Sequence, residues 1–367
     1  MNYDLLHYQI GITLLKGVGP IKALTLLEKS NSLMDLFHAS PSELSHSTGF
    51  KKSFFERMDR EKILQKTETI VENIHKYSLN TLFYNDPLFP RRLRNCPDAP
   101  MLLYQFGKLS LNVEKIVAVV GTRDATKYGK ELTYNLIESF QNQGITVVSG
   151  LAYGIDAHVH QACLHFNVPT IAVLGNGLDR VYPSNHRKLS DEITKHGSLI
   201  SEFIPGTPPD RENFPKRNRI VAGLCDATIV IESKQRGGSL ITANLANDYN
   251  RDVFAFPGSV QMETSRGCND LIRQNIAHLI QCPDDFLTIM NWKQESPKKS
   301  TVQASLFPDL TQLQHEIVQP MKGLKEIQID VLSNVTRLPI STLNQELFLL
   351  EMEGIVRSLP GKMYQLI

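Results

Sequence analysis

Between residues 116 and 280 the sequence alternates short apolar runs with longer amphipathic stretches, and this alternation restricts the fold more than any other feature. The apolar runs lie at residues 116–120, 146–148, 170–174, 199–201, 228–231 and 253–256, with a candidate last strand at 278–280. Short runs that are apolar throughout are typical of strands buried on both faces of a parallel sheet. The pattern therefore predicts an α/β fold, a Rossmann-like doubly wound parallel sheet with right-handed crossovers.

Two regions of different composition flank this core. Before residue 80, apolar residues recur at helical spacing, as at Ile10, Leu14 and Leu15, which predicts a helical domain of the helix-hairpin-helix or SAM-like kind. A polar stretch at 291–306 is typical of a linker, and the residues from 307 to the end indicate two helices and a β-hairpin, the outline of a winged helix. We therefore predict domains at 1–80, 81–290 and 307–367.

The turn Gly17-Val18-Gly19-Pro20 allows two interpretations. Its glycines expose backbone N–H groups, which in a helix-hairpin-helix can hold a DNA phosphate. It is equally a plain turn between two helices that face a core. Only Lys16 and Lys22 lie beside it, which favours the plain turn.

The loops can be sorted by the edge of the sheet at which they lie. Ligands of open parallel sheets bind at the carboxyl ends of the strands. Loops that leave these ends are rich in glycine, arginine and hydroxyl residues, whereas loops that enter strands are short and have no such concentration. The candidate residues on the leaving loops are Gly121, Thr122, Arg123, Ser149, Gly150, Gly237, Gly238 and Ser239. Backbone N–H groups and a guanidinium at one crevice predict capture of phosphate.

The start of one helix adds cations to the same crevice. The candidate residues there are Phe214, Lys216, Arg217, Asn218 and Arg219. Cations at a helix N-terminus oppose the helix dipole, so helix stability alone does not explain them, and we expect them to contact phosphate or nucleobase. Thr242, on the helix that follows Gly237, is a further candidate.

The common nucleotide motifs are missing. The turn after the first strand lacks Gly-x-Gly-x-x-Gly and the second strand ends at Ser149 rather than at an acid, so NAD is not expected. No Walker A loop is present either. Asp156, His158 and His160 suggest acid/base or metal chemistry, but a helix-capping Asp and two satisfied histidines is the favoured interpretation. We expect no metal and no cofactor.

Bulk properties restrict the location and the partners. The formal net charge is only +1, so positive charge for nucleic acid has to be gathered on one face. The five cysteines are scattered and never form a Cys-x-x-Cys pair, which fits a reducing compartment. Without a leader-like start or a long apolar run, the expected location is the cytoplasm, with no membrane contact.

At these residues the chain resembles the DNA-processing protein A family (DprA, also called Smf). The matching motifs follow in family order at 119–123, 149–156, 174–183, 214–224, 237–243, 257–258 and 269–272. The resemblance covers nearly the whole chain and adds Asn269 to the candidate residues. It implies a protein without established catalytic activity that binds and protects single-stranded DNA regardless of sequence. It also implies a homodimer, through the Rossmann-like domain, that loads the recombinase RecA onto incoming DNA in natural transformation.

Carried over by position, the basic pocket is Arg123 with the 216–219 segment, and Gly237, Gly238 and Ser239 lie on phosphate. Phe214 and Tyr153 are candidates for stacking on a base, and each is also a candidate core residue. Ser184 stands where some members carry a basic residue, with His186 and Arg187 slightly later. We expect Arg123→Glu, or Lys216→Glu with Arg217→Glu, to weaken binding without unfolding the chain.

Two other functions compete with DNA handling. The 237–242 turn is similar to that of lysine-decarboxylase-like nucleoside phosphoribohydrolases, but their catalytic Glu is missing from residues 243–247. A sequence-specific regulator would use the winged helix, whose second helix carries Glu346, Glu351 and Glu353 and no Lys or Arg. We interpret that unit as a module for protein interaction or dimer support.

Overall fold

The computed structural model describes residues 3–293, 310–324, 326–359 and 362–367. The chain divides into two compact units, Met1–Gln294 and Glu295–Ile367. Most of the predicted 291–306 linker, from residue 294 on, lies outside the described residues. The predicted domain boundaries stay predictions.

Within residues 3–293, nine strands form one mixed sheet. The strands are β1 (Asn80–Phe83), β2 (Leu102–Gly107), β3 (Lys115–Val120), β4 (Ile145–Ser149), β5 (Thr170–Val173), β6 (Ser198–Ser201), β7 (Ala227–Val230), β8 (Asp252–Ala255) and β9 (His278–Leu279). Their spatial order is β1-β2-β6-β5-β4-β3-β7-β8-β9. All pairs from β6 across to β9 are parallel. The chain winds outward from β3 in one direction and then returns to pair β7 on its other side, so the predicted doubly wound sheet is confirmed.

Strand β3 shows why the apolar runs are continuous. Val117 and Val119 pack into the core on one face of the sheet, whereas Ile116 and Ala118 pack into the core on the other. Because successive strand side chains point to opposite faces, a strand covered by helices on both sides needs an apolar residue at every position. The covering helices are α8 (Lys127–Ser139), α9 (Ile155–His165), α10 (Arg187–His196), α11 (Asn213–Leu224), α12 (Gly238–Asp248), α13 (Glu263–Arg273) and α14 (Pro283–Ile289).

The N-terminal helices pack against the antiparallel edge of this sheet, which the sequence pattern did not predict. These helices are α1 (Leu5–Leu14), α2 (Pro20–Lys29), α3 (Leu33–His38), α4 (Pro41–Thr48), α5 (Lys52–Glu56) and α6 (Arg60–Lys76), with α7 (Arg91–Arg94) between β1 and β2. Leu102 and Tyr104 of β2 belong to the same apolar cluster as Ile10, Leu26 and Ile74 of the helices. The helical region and the sheet edge therefore share one core.

The second unit has the outline of a winged helix, as predicted. It contains α15 (Gln312–Val318), β10 (Ile327–Gln328), α16 (Ile329–Thr336), α17 (Ile340–Met352), β11 (Val356–Leu359) and β12 (Met363–Leu366). The strands pair antiparallel in the order β10-β12-β11. Leu332 of α16 and Leu343, Leu347 and Leu350 of α17 are fully buried in its core. The i, i+4, i+7 spacing of the three leucines places them on one face of α17.

Candidate nucleic-acid interface

A cavity of about 690 Å³ lies at the carboxyl edge of the sheet, where the chain reverses direction around β3. The loops after β3 and β7 leave towards opposite faces there, which opens a crevice between them. Eleven of the fifteen sequence-predicted residues line this cavity: Gly121, Thr122, Arg123, Gly150, Phe214, Arg217, Asn218, Gly237, Gly238, Ser239 and Thr242. The fold therefore brings together loops that are far apart in sequence.

The loop after β3 is held rigidly and presents an exposed cation. The Thr122 amide donates to the Glu232 carbonyl at 2.8 Å, and the Thr122 carbonyl accepts from the Ile155 amide at 3.1 Å. Arg123 is exposed, and its guanidinium carbon lies 5.7 Å from the centroid of the Phe214 ring. The Arg123 charge is thus placed beside an aromatic wall, where a phosphate and its base could both be contacted.

The start of α12 supplies backbone donors. Gly238 and Ser239 are its first two residues, and across residues 3–293 no acceptor contacts their amide groups. The Ser239 side chain is occupied, because its hydroxyl donates to the Ser233 hydroxyl at 2.9 Å. Unpaired amides at a helix N-terminus, together with the helix dipole, favour an anion.

Phe214 and Tyr182 form the aromatic wall of the cavity. Phe214 is half-buried and Tyr182 is 44% exposed. Their ring centroids are 5.6 Å apart and their planes are inclined by 39°. Phe214 is therefore partly packed and partly open to the cavity. This lies between the two roles considered from the sequence, a ring that stacks on a base and a core residue. Tyr182 belongs to a family motif, but the sequence reasoning did not predict it as a site residue.

Arg217 lines the cavity floor but is only 5% exposed. Its Nη1 donates to the carbonyls of Gly150 and Val173, which follow β4 and end β5. Burial lowers the pKa of the Arg217 guanidinium, an effect that the charge of Asp156 opposes. Burial also raises the pKa of Asp156, against the influence of Arg217. Arg217 therefore ties α11 to two strand ends rather than offering its charge to solvent.

Two predicted site residues outside the cavity hold the framework. Ser149 is fully buried and its hydroxyl donates to the Val119 carbonyl at 2.8 Å, which links β4 to β3. Asn269 makes two hydrogen bonds to the backbone of Gly258, accepting from its amide at 3.2 Å and donating to its carbonyl at 3.0 Å. Both residues keep a loop of the carboxyl edge in place.

The remaining two are cations of α11. Arg219 is buried and forms an ion pair with Glu202, and its other nitrogen donates to the Asp98 carbonyl. Burial raises the pKa of Glu202, and the Arg219 charge opposes this. Lys216 is exposed outside the cavity lining. Of the cations predicted in this helix, only Lys216 is on the surface.

Three cations of the cavity were missed by the sequence reasoning: Arg211, Lys234 and Arg236. Arg211 and Arg236 are exposed, whereas Lys234 forms an ion pair with Asp124 at 3.3 Å. All three lie in segments that follow strand carboxyl ends. Sorting the loops by edge places the 202–216 segment and Arg236 at this edge, but neither Arg211 nor Arg236 was predicted as a site residue.

Of Asp156, His158 and His160, the first and the last are buried and hydrogen-bonded within the fold. Asp156 is buried near the start of α9 and accepts from the Ala152 amide at 3.4 Å. His160 is buried, and its Nδ1 is 2.8 Å from the Thr170 hydroxyl, while its Nε2 has no partner in the described chain. Among the described residues no three His, Cys, Asp or Glu side chains group as metal ligands. No helix within the described ranges is long and apolar enough to cross a membrane.

The sequence is similar to known protein families and to individual proteins. The family model "DNA recombination-mediator protein A" matches residues 80–291, and the model "DprA winged helix domain" matches residues 303–362. The chain is 32% identical to Protein Smf of Synechocystis sp. over 391 residues, covering 98% of both chains. It is 44% identical to DNA processing protein DprA of Streptococcus pneumoniae over 202 residues, which is 55% of this chain and 71% of the relative.

Two solved structures agree in fold. The X-ray structure of DprA from Streptococcus pneumoniae superposes with a TM-score of 0.67 at 34% identity, covering 78% of this chain and 98% of that one. DNA processing protein A from Helicobacter pylori, whose structure describes a single-stranded DNA binding mode, superposes with a TM-score of 0.53 at 29% identity, covering 58% of this chain and 95% of that one. The chain therefore belongs to the DNA recombination-mediator protein A family, together with the proteins called DprA and Smf.

Proposed function

We propose that this protein binds and protects single-stranded DNA regardless of its sequence and loads the recombinase RecA onto incoming DNA during natural transformation. The observation that carries the proposal is the cavity at the carboxyl edge. It combines exposed Arg123, Arg211 and Arg236 with the unpaired amides of Gly238 and Ser239. These groups are phosphate ligands, and phosphates carry no sequence information.

The aromatic wall supports a single strand over a duplex. Phe214 is half-buried at the cavity surface and Tyr182 stands beside it. Bases are stacked inward in a duplex, so a ring on the protein can reach a base face only when the strand is unpaired. Stacking of this kind is worth roughly 1–3 kcal/mol per base and tolerates any base. The described binding mode of the Helicobacter pylori relative points the same way.

We propose a binding protein rather than an enzyme. The one carboxylate among the cavity-lining residues of the described chain, Asp156, is buried beside Arg217 and accepts from a backbone amide. The helix after Thr242 has no acid at 243–247, where the similar nucleoside phosphoribohydrolases carry their Glu. Because Asp156 is already hydrogen-bonded within the fold, the cavity is better suited to holding a strand than to acid/base catalysis.

The winged helix fits the proposed module for protein interaction or dimer support. On α17, Phe348 is 61% exposed and Met352 is 74% exposed, one helical turn apart. An apolar surface on the helix that a DNA-binding winged helix would place in the major groove favours a protein partner. We propose a homodimer that meets RecA in the cytoplasm, where the recombinase acts on DNA.

The first test is charge reversal at Arg123. We expect Arg123→Glu to weaken binding to a fluorescent oligo-dT by roughly ten-fold or more and to lower the salt slope by about 0.7, because one phosphate contact is lost. Lys195→Glu is the matched control. It makes the same charge change at the far end of α10, next to the amino edge of β6, where Lys195 pairs with Glu192 at 2.6 Å. Equal affinity of the two variants would contradict the cavity as the binding site.

The loading step needs its own test. RecA is added to an oligonucleotide coated with a single-strand-binding protein, with and without this chain, and a fluorescent homologous duplex reports the displacement of its strand. We expect the wild type to speed the reaction and Arg123→Glu to lose that effect. Wild-type stimulation by the Arg123→Glu variant would separate recombinase loading from the cavity.

A further inference from the structure

Two aromatic rings stand side by side just outside the cavity. Tyr153, in the loop after β4, is 47% exposed. Its ring centroid lies 5.1 Å from that of His186, with an angle of 68° between the planes. An edge-to-face pair covers at most one face of either ring, so aromatic surface stays open. Within the described residues no hydrogen bond involves the Tyr153 hydroxyl, so the ring contact with His186 is its visible role in the fold.

The pair is fixed relative to the cavity. His186 donates from Nδ1 to the Leu151 carbonyl at 2.9 Å. Leu151 and Gly154 have φ angles of 55° and 76°, and a Cβ at Gly154 would overlap the Thr122 carbonyl oxygen. The Tyr153 loop is therefore pressed directly against the loop that carries Arg123, and a glycine is needed where they touch.

Neighbouring residues in the chain connect the cavity to this pair. Phe214 contacts Tyr182, which lies four residues before His186 in the same loop, and Ala152, next to Tyr153, lines the cavity. Arg187 and Lys188 follow His186, and both are exposed without an ion-pair partner in the described part of the chain. Rings flanked by free cations are what grooves for single strands use.

We propose that Tyr153 and His186 form an outer stacking subsite for an unpaired nucleobase, reached by the strand after it leaves the cavity. Arg187 and Lys188, the exposed residues that follow His186, are the candidate cations for its phosphates. This inference rests on the proposed function.

The test uses two lengths of oligo-dT. One of about 4 nucleotides is expected to occupy the cavity alone, and one of about 16 nucleotides is expected to reach the outer pair as well. We expect Tyr153→Ala to weaken binding of the long oligonucleotide by roughly ten-fold and to leave the short one unchanged. Tyr153→Phe keeps the ring face and is expected to bind both as the wild type does.

A second measurement does not depend on mutation of the protein. Abasic sites at the outer positions of the long oligonucleotide are expected to weaken wild-type binding by the same factor, with no further loss in Tyr153→Ala. Wild-type affinity of Tyr153→Ala for the long oligonucleotide, with Arg123→Glu still impaired, would overturn the subsite and leave the proposed function standing. Equal losses in Tyr153→Phe and Tyr153→Ala would overturn stacking. If the wild type binds neither the short nor the long oligonucleotide, both proposals are overturned.

Discussion

Two arginines at the cavity use their charge in opposite ways. Arg123 is exposed beside the Phe214 ring and has no carboxylate partner among the described residues, so its charge is available to a phosphate. Arg217 is buried and directs its donors to the carbonyls of Gly150 and Val173. The planar fork of a guanidinium suits both roles, since it can hold two acceptors at once.

The buried arginine leads to a prediction about stability. Arg217→Gln is expected to lower the free energy of unfolding by roughly 3 kcal/mol, because the buried carbonyls of Gly150 and Val173 lose their charged donor and the buried Asp156 loses a nearby positive charge. Urea denaturation measures this, with Lys216→Gln, an exposed neighbour, as a control that is expected to be neutral. A variant at Arg217 as stable as the wild type would contradict the structural role. The burial of Arg217 also replaces the expectation from sequence that Arg217→Glu leaves the fold intact.

The sequence contained part of this information. Arg217 shares helical spacing with Ile220, Val221 and Leu224, which are all buried, so the apolar stripe of α11 already placed it on the inner face. Arg219 lies off that stripe, although the small residues Ala222 and Gly223, three and four positions later, are also buried. Arg219 is covered by the distant Glu202 side chain and the Asp98 carbonyl, and such long-range contacts cannot be derived from local spacing.

At the scale of elements, α9 is docked on the sheet through a buried histidine. His160 Nδ1 lies 2.8 Å from the Thr170 hydroxyl at the start of β5, and its Nε2 is buried without a partner in the described residues. Burial, more than the nearby His186 and Arg217 charges, lowers the pKa of His160 to about 3. The folded protein therefore keeps this ring neutral.

This neutral histidine makes stability depend on pH. Unfolded, His160 regains an ordinary pKa of about 6.5, so between that pH and about 3 the unfolded chain binds the extra proton. Its contribution is fully present above about pH 6.5 and is lost as pH falls, by about 2 kcal/mol at pH 5. We expect urea denaturation to show this loss in the wild type and not in His160→Gln. Parallel pH profiles of the two proteins would show that His160 is not responsible.

The strands that the sequence predicted differ in their residue pattern from those that it did not predict. Strand β3 was predicted to within one residue because it is apolar at every position and begins a regular strand–helix alternation. Strands β1 and β2 do not follow the strand–helix alternation. They pair antiparallel, and the one helix in their connection, α7, has four residues. An edge strand without a crossover helix leaves no α/β period to detect.

At the scale of the whole molecule, a nearly neutral chain concentrates its positive charge. The formal net charge is +1, yet Arg123, Arg211, Lys234 and Arg236 line one cavity. Charges lining a cleft with low-dielectric walls create a local field that the net charge does not reveal. Because the proposed contacts are made to phosphates rather than to base edges, affinity is expected to depend strongly on salt and weakly on sequence.

Capture of single strands through their phosphates is tested by binding of the purified chain to oligo-dT and to a matched duplex across a salt series. We predict a preference for the single strand, and an affinity whose logarithm falls with the logarithm of salt concentration by roughly 0.7 for each phosphate neutralised. The three exposed arginines that line the cavity, Arg123, Arg211 and Arg236, correspond to a slope of about −2. Binding that favours the duplex, or no binding at low salt, would contradict the proposed role of the cavity.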